Sequence, residues 1–322
     1  MNLGRNFLII IFFFSIKCYA FQSKIIIEKD LVELNLKNYA GVFTSDFKIE
    51  LDSINKSSFK KIKDGKDFFY FNFNKSTIWI YLKLESKRTS QKELFFRFSN
   101  AMINEFIVYK KAESDLEEVY KNGIIHTFES REPKNKNFLA PILLIPNKTS
   151  EYYIKINKKE GRPLVTNFSL IDGKLLNETQ QKEYTIIGAY VGLTLIFITI
   201  GLCLFVFFKD TMYMHYSMYL LFLCLFILAY TGVFQQYFLS TESLLNKYYH
   251  YVIFSEISLV FFVTFSQKFL ETKKHQPKLY GIVNTILIFI VILRVLLHFF
   301  FDKVFSDYIP LFMKIWYGIL LF

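Results

Sequence analysis

The chain has 322 residues, of which 52% are hydrophobic and 19% are aromatic, and it carries a formal net charge of +11. This length is enough for about two domains, and the apolar residues concentrate after residue 180, which excludes a single soluble domain. The lysines are scattered among acidic and apolar residues without a basic stripe, which excludes nucleic-acid binding as the reason for the charge.

Residues 1–20 are predicted to be a secretory signal peptide. Arg5 supplies the positive start, residues 8–14 form an apolar run too short for a lasting span, and residues 18–20 place small side chains at the cleavage-determining positions. Cleavage would leave Phe21 as the mature N-terminus, and the alternative is an uncleaved anchor. The signal predicts that the following domain is delivered to the periplasm or the cell exterior.

Residues 21–180 are predicted to form an all-β domain of the sandwich or jelly-roll type. Apolar and other side chains alternate with a period of two in several runs, among them residues 78–84, 94–98 and 152–156. Turn-forming pairs such as Asn122-Gly123 separate these runs. Short strands at such spacing are typical of sandwiches, and a domain of this size buries one core without disulfides.

Residues 181–322 are predicted to form an α-helical membrane domain of about five spans. The first apolar segment, residues 184–208, has no charged residue, and at ~1.5 Å per residue it crosses a hydrocarbon core of ~30 Å. The further spans are predicted at residues 213–234, 250–270, 280–301 and from 308 onward. The last segment stops after ~14 residues where ~20 are needed, so we expect the sequence to be incomplete at its C-terminus.

The short loop at residues 271–279 is the most basic loop of the membrane half, and positive loops stay in the cytoplasm. Alternation of the spans then puts the β domain outside, in agreement with the signal peptide. The predicted location is therefore the cytoplasmic (inner) membrane of a bacterium.

Two groups of motifs occur in a distinctive order. In the β region they are Thr77–Leu82, Phe98–Asn100 with Phe106–Tyr109, and Gly123–Arg131 with Asn137–Pro141. In the membrane half they are Gly188–Gly192, Lys209–Tyr216 and Thr231–Tyr237. Together with the signal peptide and the domain layout, these motifs resemble the bacterial seven-transmembrane receptors with diverse intracellular signalling modules.

This resemblance implies an extracellular jelly-roll sensing domain of the second type, seven spans and a cytoplasmic output module. Outputs in the family include diguanylate cyclases, histidine kinases, adenylate cyclases and phosphatases. The sequence itself contains neither a sixth and seventh span nor an output module.

Five residues of the β domain are candidates for ligand contact: Trp79, Tyr81, Arg97, Asn100 and Arg131. Aromatic rings stack on the apolar faces of sugars, and arginine forks bind carboxylates, so these residues predict a carbohydrate or small-molecule site. The alternative is structural: the two aromatic residues would fill one side of the sandwich, and Arg131 would fix a loop.

Three ionisable residues lie inside predicted spans, namely Glu256, Arg294 and Lys314. Counted from the outer ends, all three fall within ~3 Å of one depth at ~1.5 Å per residue. Because intramembrane charges usually pair or face the bundle interior, we predict a Glu256–Arg294 ion pair near Lys314 that switches the packing of the spans. The alternative is that the two cations extend to the outer interface and that Glu256 is protonated.

The sequence therefore predicts a membrane receptor fragment that senses an extracytoplasmic small molecule or carbohydrate and changes the packing of its spans. Two alternatives remain: a membrane-anchored binding module without signalling, and a transporter-like protein. No catalytic motif, metal spacing or cofactor site can be identified, so neither an enzyme nor a cofactor is predicted. Gly188 and Gly192 allow close helix approach, either within the bundle or in a homodimer.

Overall fold

The computed structural model describes residues 24–28, 32–45, 56–62, 64–71, 77–112, 115–157, 164–238 and 250–300, without the side chains of Val252 and residues 294–300. The predicted signal peptide and the predicted last span lie outside these residues.

The first part of the described chain consists of short strands. In chain order they are β1 (Ile25–Ile27), β2 (Glu33–Asn35), β3 (Gly41–Ser45), β4 (Phe69–Phe71), β5 (Thr77–Ser86), β6 (Lys92–Phe98), β7 (Glu105–Lys111), β8 (Leu116–Asn122), β9 (Phe138–Leu144), β10 (Thr149–Asn157), β11 (Leu164–Thr166) and β12 (Phe168–Asp172).

Two sheets face each other. The front sheet has the order β1-β5-β10-β7-β8, with β3 also paired to β5, and the back sheet has the order β2-β12-β6-β9. A separate pair joins β4 to β11. All pairs in the two main sheets are antiparallel except β1 with β5, which is parallel.

The core lies between the two sheets and follows from the period-two pattern. The inward residues of β5 are Ile78, Ile80, Leu82 and Leu84, and they pack with Phe96 and Phe168 of the back sheet among many others. The rings of Phe98 and Phe168 stack with centroids 4.5 Å apart. Burial of these large side chains is the main driving force for the sandwich.

Helices follow the last strand. They are α1 (Gly173–Phe208), α2 (Thr211–Tyr230), α3 (Val233–Phe238), α4 (His250–Phe269), α5 (Thr272–His275) and α6 (Pro277–Phe300). Within the described residues, α1 and α2 are the two helices long and apolar enough to cross a membrane. The predicted fold class, an all-β sandwich followed by membrane helices, is thus confirmed.

The strand-to-helix transition occurs without a linker. Asp172 ends β12 and caps α1, because its Oδ1 accepts a hydrogen bond from the Lys174 amide at 2.9 Å. Such a cap satisfies one of the free amides at a helix start. The transition therefore precedes the domain boundary predicted at residue 180, and the first turns of α1 still belong to the sandwich side of the molecule.

Candidate functional site

The five residues predicted to contact a ligand lie in two separate places. Trp79 and Tyr81 share the outer face of the front sheet. Arg97 and Arg131 lie where the sandwich meets the helices. Asn100 is in the loop after β6, where its side chain donates to the Val165 carbonyl at 2.8 Å. The structure does not gather all five into one face, and their role in ligand contact stays a prediction.

Glu183, which precedes the first predicted span, is held by cations of the sandwich. Its Oε1 lies 2.6 Å from Nη2 of Arg97, and its Oε2 lies 2.6 Å from Nζ of Lys136. Asn137 donates a further hydrogen bond to Oε2 at 3.4 Å. Burial opposes ionisation, but the bond and charge of Lys136 and the charge of Arg97 outweigh it, so that the pKa of Glu183 is lowered. These contacts fix the base of α1 to the back sheet.

Arg131 is buried in the loop between β8 and β9, with 2% of its surface exposed. Its Nη1 donates to the carbonyls of Asn135 and Lys136, both at 3.2 Å, and its Nη2 donates to Oε1 of Gln235 in α3 at 3.2 Å. The guanidinium also lies 4.4 Å from the ring centroid of Phe138. Burial lowers the pKa of Arg131 to about 10. This side chain orders its own loop and ties it to the helical region.

The turn between α2 and α3 fits closely against the same loop. Gly232 has φ +83°, and a Cβ at this position would lie 2.8 Å from Cβ of Ala101 and 2.8 Å from the Lys136 carbonyl oxygen. Only glycine adopts such a backbone and such an approach without strain. Tyr184 of α1 donates to Gln236 beside this turn.

We call this region the junction. It comprises Arg97, Ala101, Arg131 and Lys136 of the sandwich together with Glu183, Gly232 and Gln235 of the helical part. It brings the sandwich loops into contact with α1 and with the α2–α3 turn at once. The sequence offered two signals for it: an acidic residue directly before an uncharged span, and two adjacent glutamines in an otherwise apolar segment.

The outer face of the front sheet carries a second apolar cluster, which we call the front cluster. It consists of Trp79, Tyr81, Ile107, Tyr109, Tyr153 and Phe59, with Phe43 and Leu116 packed against it. The rings of Trp79 and Tyr109 stack with centroids 6.0 Å apart, and those of Tyr81 and Tyr153 are 5.0 Å apart. Burial raises the pKa of Tyr153 to about 12, with Glu151 adding to the shift.

A short segment, residues 56–60, covers the front cluster, and we call it the strap. Phe59 packs against the rings of both Tyr81 and Tyr153, at centroid distances of 5.6 and 6.0 Å. Lys60 exchanges backbone hydrogen bonds with Val42 at 2.8 and 3.0 Å. The Lys56 ammonium pairs with Glu151 at 2.6 Å. Among the described residues, the strap is thus held by contacts that include the ring of Phe59, the backbone pair of Lys60 and the ion pair of Lys56.

The predicted intramembrane switch is only partly within the described residues. Glu256 lies in α4 and is half-buried, whereas the side chain of Arg294 and the whole of Lys314 lie outside the described part. The Glu256–Arg294 pair stays a prediction.

Close helix packing occurs at a glycine that the sequence analysis did not single out. An added Cβ at Gly201 of α1 would meet Ser217 of α2 and would lie 3.3 Å from the Tyr216 ring. At Gly188 and Gly192, by contrast, an added Cβ meets nothing within 4 Å. The two predicted glycines therefore take no part in packing among the described residues.

Two family models match the chain, one on each side of the junction. Residues 44–172 match the family described as 7TMR-DISM extracellular 2. Residues 183–322 match the family described as 7TM diverse intracellular signalling. Together the two regions cover most of the sequence.

Other comparisons add little. No curated protein matches the chain. Among solved structures, the insecticidal crystal protein Cry2Aa is similar with 9% identity and a TM-score of 0.20, over 37% of this chain and 24% of that one. The present chain thus spans about a quarter of that structure, and a similarity at this score does not show a shared fold.

Proposed function

Because the chain belongs to the seven-transmembrane receptors with diverse intracellular signalling modules, we propose that it senses a small molecule or carbohydrate through its sandwich. Binding would shift the packing of the spans. A ligand does this only if it binds one packing more tightly than the other. By linkage, the packing of the spans then alters the ligand affinity by the same factor.

The junction is the observation that carries this proposal. The loop at residues 131–137 contacts α1 through Lys136 and α3, directly after the α2–α3 turn, through Arg131. Arg97 connects the back sheet to the same carboxylate of Glu183. A change in the position of the sandwich therefore acts on both α1 and α2, and these helices contact each other at Gly201 and Ser217.

The two matched regions are a sensing domain and a transmembrane domain. We infer that neither of these two regions is catalytic. We also infer that the signal is passed to a cytoplasmic output module of the kind found in the family. The α2–α3 turn contacts the sandwich, which supports the inference that both lie on one side of the membrane. The proposed location is the cytoplasmic membrane of a bacterium, with the sandwich outside.

Distance measurement on the reconstituted full chain tests the proposal. In a background without Cys18, Cys203 and Cys224, spin labels are placed at exposed Val119 in β8 and at exposed Lys209 after α1. The probes are glucose, glucuronate and phenylacetate, and with Trp316→Phe added to this background their binding is followed by the emission of Trp79. We expect a bound probe to change the label distance, and we expect Glu183→Gln to abolish that change. A probe that binds without altering the distance would contradict signal transmission.

The alternative of a simple membrane anchor makes a different prediction. If the spans act only as an anchor, Glu256→Ala and Arg294→Ala should leave the ligand-induced distance change intact. If they form a switch, both substitutions should reduce it, and the charge-reversed pair Glu256→Arg with Arg294→Glu should restore it. Failure of the reversed pair to restore the change would eliminate the ion pair.

A further inference from the structure

The front cluster is unusual for the outer face of an antiparallel sheet. Such a sheet usually buries one face and turns polar side chains to water on the other. Here aromatic side chains of three neighbouring strands form rows across the sheet. Tyr81 of β5 lies directly opposite Tyr153 of β10, which lies opposite Tyr109 of β7. These rings form an aromatic platform in which Tyr81 and Tyr153 are tilted by 51° to each other, and ring-shaped ligands stack on aromatic surfaces.

One polar group of this platform has no partner among the described residues. The side chain of Trp79 is 0% exposed, and among the described residues its indole Nε1–H has no hydrogen-bond acceptor. Buried tryptophan N–H groups usually find an acceptor, and exceptions call for an explanation. An oxygen atom supplied by a ligand would satisfy this donor.

Several lysine side chains lie around the platform. Lys155 places its ammonium 5.4 Å from the ring centroid of Trp79, and Lys56 lies 5.6 Å from that of Tyr81. Alternation along the strands puts Lys83 and Lys111 on the same face. The acidic residues on this face of the sheet are Glu85, Glu105, Glu151 and, on β8, Glu118. The first three form ion pairs with Lys24, Lys121 and Lys56, whereas Lys155 has no anionic partner among the described residues. This cation beside Trp79 favours a negatively charged ligand.

Phe59 occupies the place where a ligand ring would stack. Its ring contacts Tyr81, Tyr153 and Phe43, but it offers no oxygen to the indole of Trp79 and no charge to Lys155. The strap that carries Phe59 is held by the ion pair of Lys56 and Glu151, whose side chains are 37% and 15% exposed. A ligand with a ring and an anionic oxygen would make the same aromatic contacts as Phe59 and also satisfy the two groups that Phe59 leaves unused.

We propose that the front cluster is a ligand site closed by the strap, and that its ligand is a small ring-bearing carboxylate that displaces Phe59. This inference rests on the proposed sensing function and assigns its site and ligand chemistry. The ring stacks on the tyrosine rows, and the carboxylate accepts from Trp79 and pairs with Lys155. Both a sugar acid and an aromatic acid have this chemistry, and the experiment separates them.

Trp79 itself reports the binding. The chain has two tryptophans, so in a Trp316→Phe background the emission comes from Trp79 alone. The full chain is kept in a zwitterionic detergent free of sugar and aromatic groups. Glucuronate and phenylacetate are titrated, with glucose and phenylethanol as neutral partners of matched shape. We expect a saturable change in Trp79 emission with one of the two acids. The neutral partner of that acid should bind at least about tenfold more weakly.

Two variants test the strap directly. Phe59→Ala removes the internal competitor, so the affinity for the acid should rise, by about tenfold if the strap is open in a tenth of molecules. Lys56→Gln should also raise the affinity although it removes a cation, because it releases the strap. Lys155→Gln should lower the affinity by about tenfold. Tyr70→Ala, which truncates an exposed aromatic side chain in the separate β4–β11 pair, is the control and should change nothing.

The proposal is overturned if neither acid gives a saturable change in the folded wild-type chain or in Lys56→Gln. Equal affinity for the neutral partner, or weaker binding after release of the strap, would overturn it as well. Its failure is distinguishable from failure of the sensing function. Binding at Trp79 without a change in the Val119–Lys209 label distance contradicts transmission alone, whereas a distance change without any response of Trp79 contradicts this site alone.

Discussion

The two outer faces of the sandwich are both apolar, but they are covered in different ways. On the back sheet, Leu139 and Ile171 are buried against Leu176 of α1. On the front sheet, Tyr81 and Tyr153 are buried against Phe59 of the strap. The back face is covered by the helix that enters the membrane, and the front face by a short surface segment. One face is therefore suited to transmit force, and the other to open.

The interactions at the edges of the two faces support this division. At the back, Glu183 is held by two cations and an amide, and the nearby Arg131 guanidinium is almost fully buried. At the front, the strap depends on a partly exposed ion pair, a type that contributes about 1 kcal/mol or less. The following substitutions test whether the contacts of the back face contribute strongly to stability and whether the strap on the front face opens readily.

The largest effect is expected at Arg131. Arg131→Met removes three hydrogen bonds from a buried loop and leaves two buried carbonyls without their donor. We expect the free energy of unfolding of the sandwich to fall by about 3 kcal/mol. Denaturant unfolding followed by Trp79 emission, in the Trp316→Phe background, measures it. Lys134→Met, at an exposed position in the same loop, is the control. Equal stability of the two variants would refute the claim that the contacts of Arg131 stabilise the junction.

A somewhat smaller effect is expected at the α2–α3 turn. Gly232→Ala places a methyl group 2.8 Å from two atoms of the sandwich in a backbone conformation that disfavours alanine. We expect a loss of about 2 kcal/mol in the same unfolding assay. Gly188→Ala is the matched control, because the same methyl group meets open space on α1, and it should be neutral or slightly stabilising. Similar losses of unfolding free energy in Gly232→Ala and Gly188→Ala would mean that the turn is not packed on the sandwich.

Glu183→Gln should have an intermediate effect at neutral pH. The substitution keeps the shape of the side chain but removes the charge that Arg97 and Lys136 contact at 2.6 Å. We expect a loss of about 1–2 kcal/mol, since the amide oxygen still accepts a hydrogen bond from one of the two cations and Arg97 keeps Glu33 at 3.9 Å. Glu178→Gln, on an exposed position of the same helix, should lie within about 0.5 kcal/mol of the wild type.

The same carboxylate gives a pH dependence with a defined sign. The pKa of Glu183 is lowered in the folded protein, because Lys136 and Arg97 outweigh its burial. Its stabilising contribution is therefore complete above the ordinary pKa of glutamate and is lost as the pH falls through the lowered value. We expect the difference in unfolding free energy between the wild type and Glu183→Gln to shrink as the pH is lowered. A difference that grows at low pH would contradict the lowered pKa.

The smallest effect on stability is expected at the strap. Glu151→Gln weakens the contact with Lys56, and we expect a change of about 0.5 kcal/mol or less in unfolding free energy. Acrylamide quenching of Trp79 should nevertheless increase, because the strap opens more often. Glu117→Gln on exposed β8 is the control. Unchanged quenching in Glu151→Gln would show that the front face is as firmly closed as the back.

The sandwich was predictable because its signal is local. The period of two in β5 assigns Ile78 and Ile80 to one face and Trp79 and Tyr81 to the other, and both assignments hold in the structure. The apolar run from residue 184 likewise predicts a helix, which α1 confirms. Hydrophobic periodicity and composition are properties of a few neighbouring residues. They therefore predict individual strands and helices and the buried face of each.

The junction was not predictable in the same way. Arg97 and Glu183 are 86 positions apart in the sequence, and Arg131 and Gln235 are 104 apart. Periodicity states which side of an element is buried, but it does not state which distant loop covers it. The same reason applies to Phe59, whose position over Tyr81 depends on how the strap crosses the sheet. The sequence predicts that Arg131 either contacts a ligand or fixes a loop, but it does not reveal its contact with Gln235.

The uninterrupted α1 has a mechanical consequence. The helix runs for 36 residues from Gly173 to Phe208, which corresponds to ~54 Å at ~1.5 Å per residue. A rod of this length converts a tilt of about 5° at one end into a displacement of about 5 Å at the other, close to one helical pitch of about 5.4 Å. Because the rod begins at the residue after β12, there is no hinge to absorb the tilt. On the proposed function, a tilt of the sandwich would therefore move the far end of α1 directly.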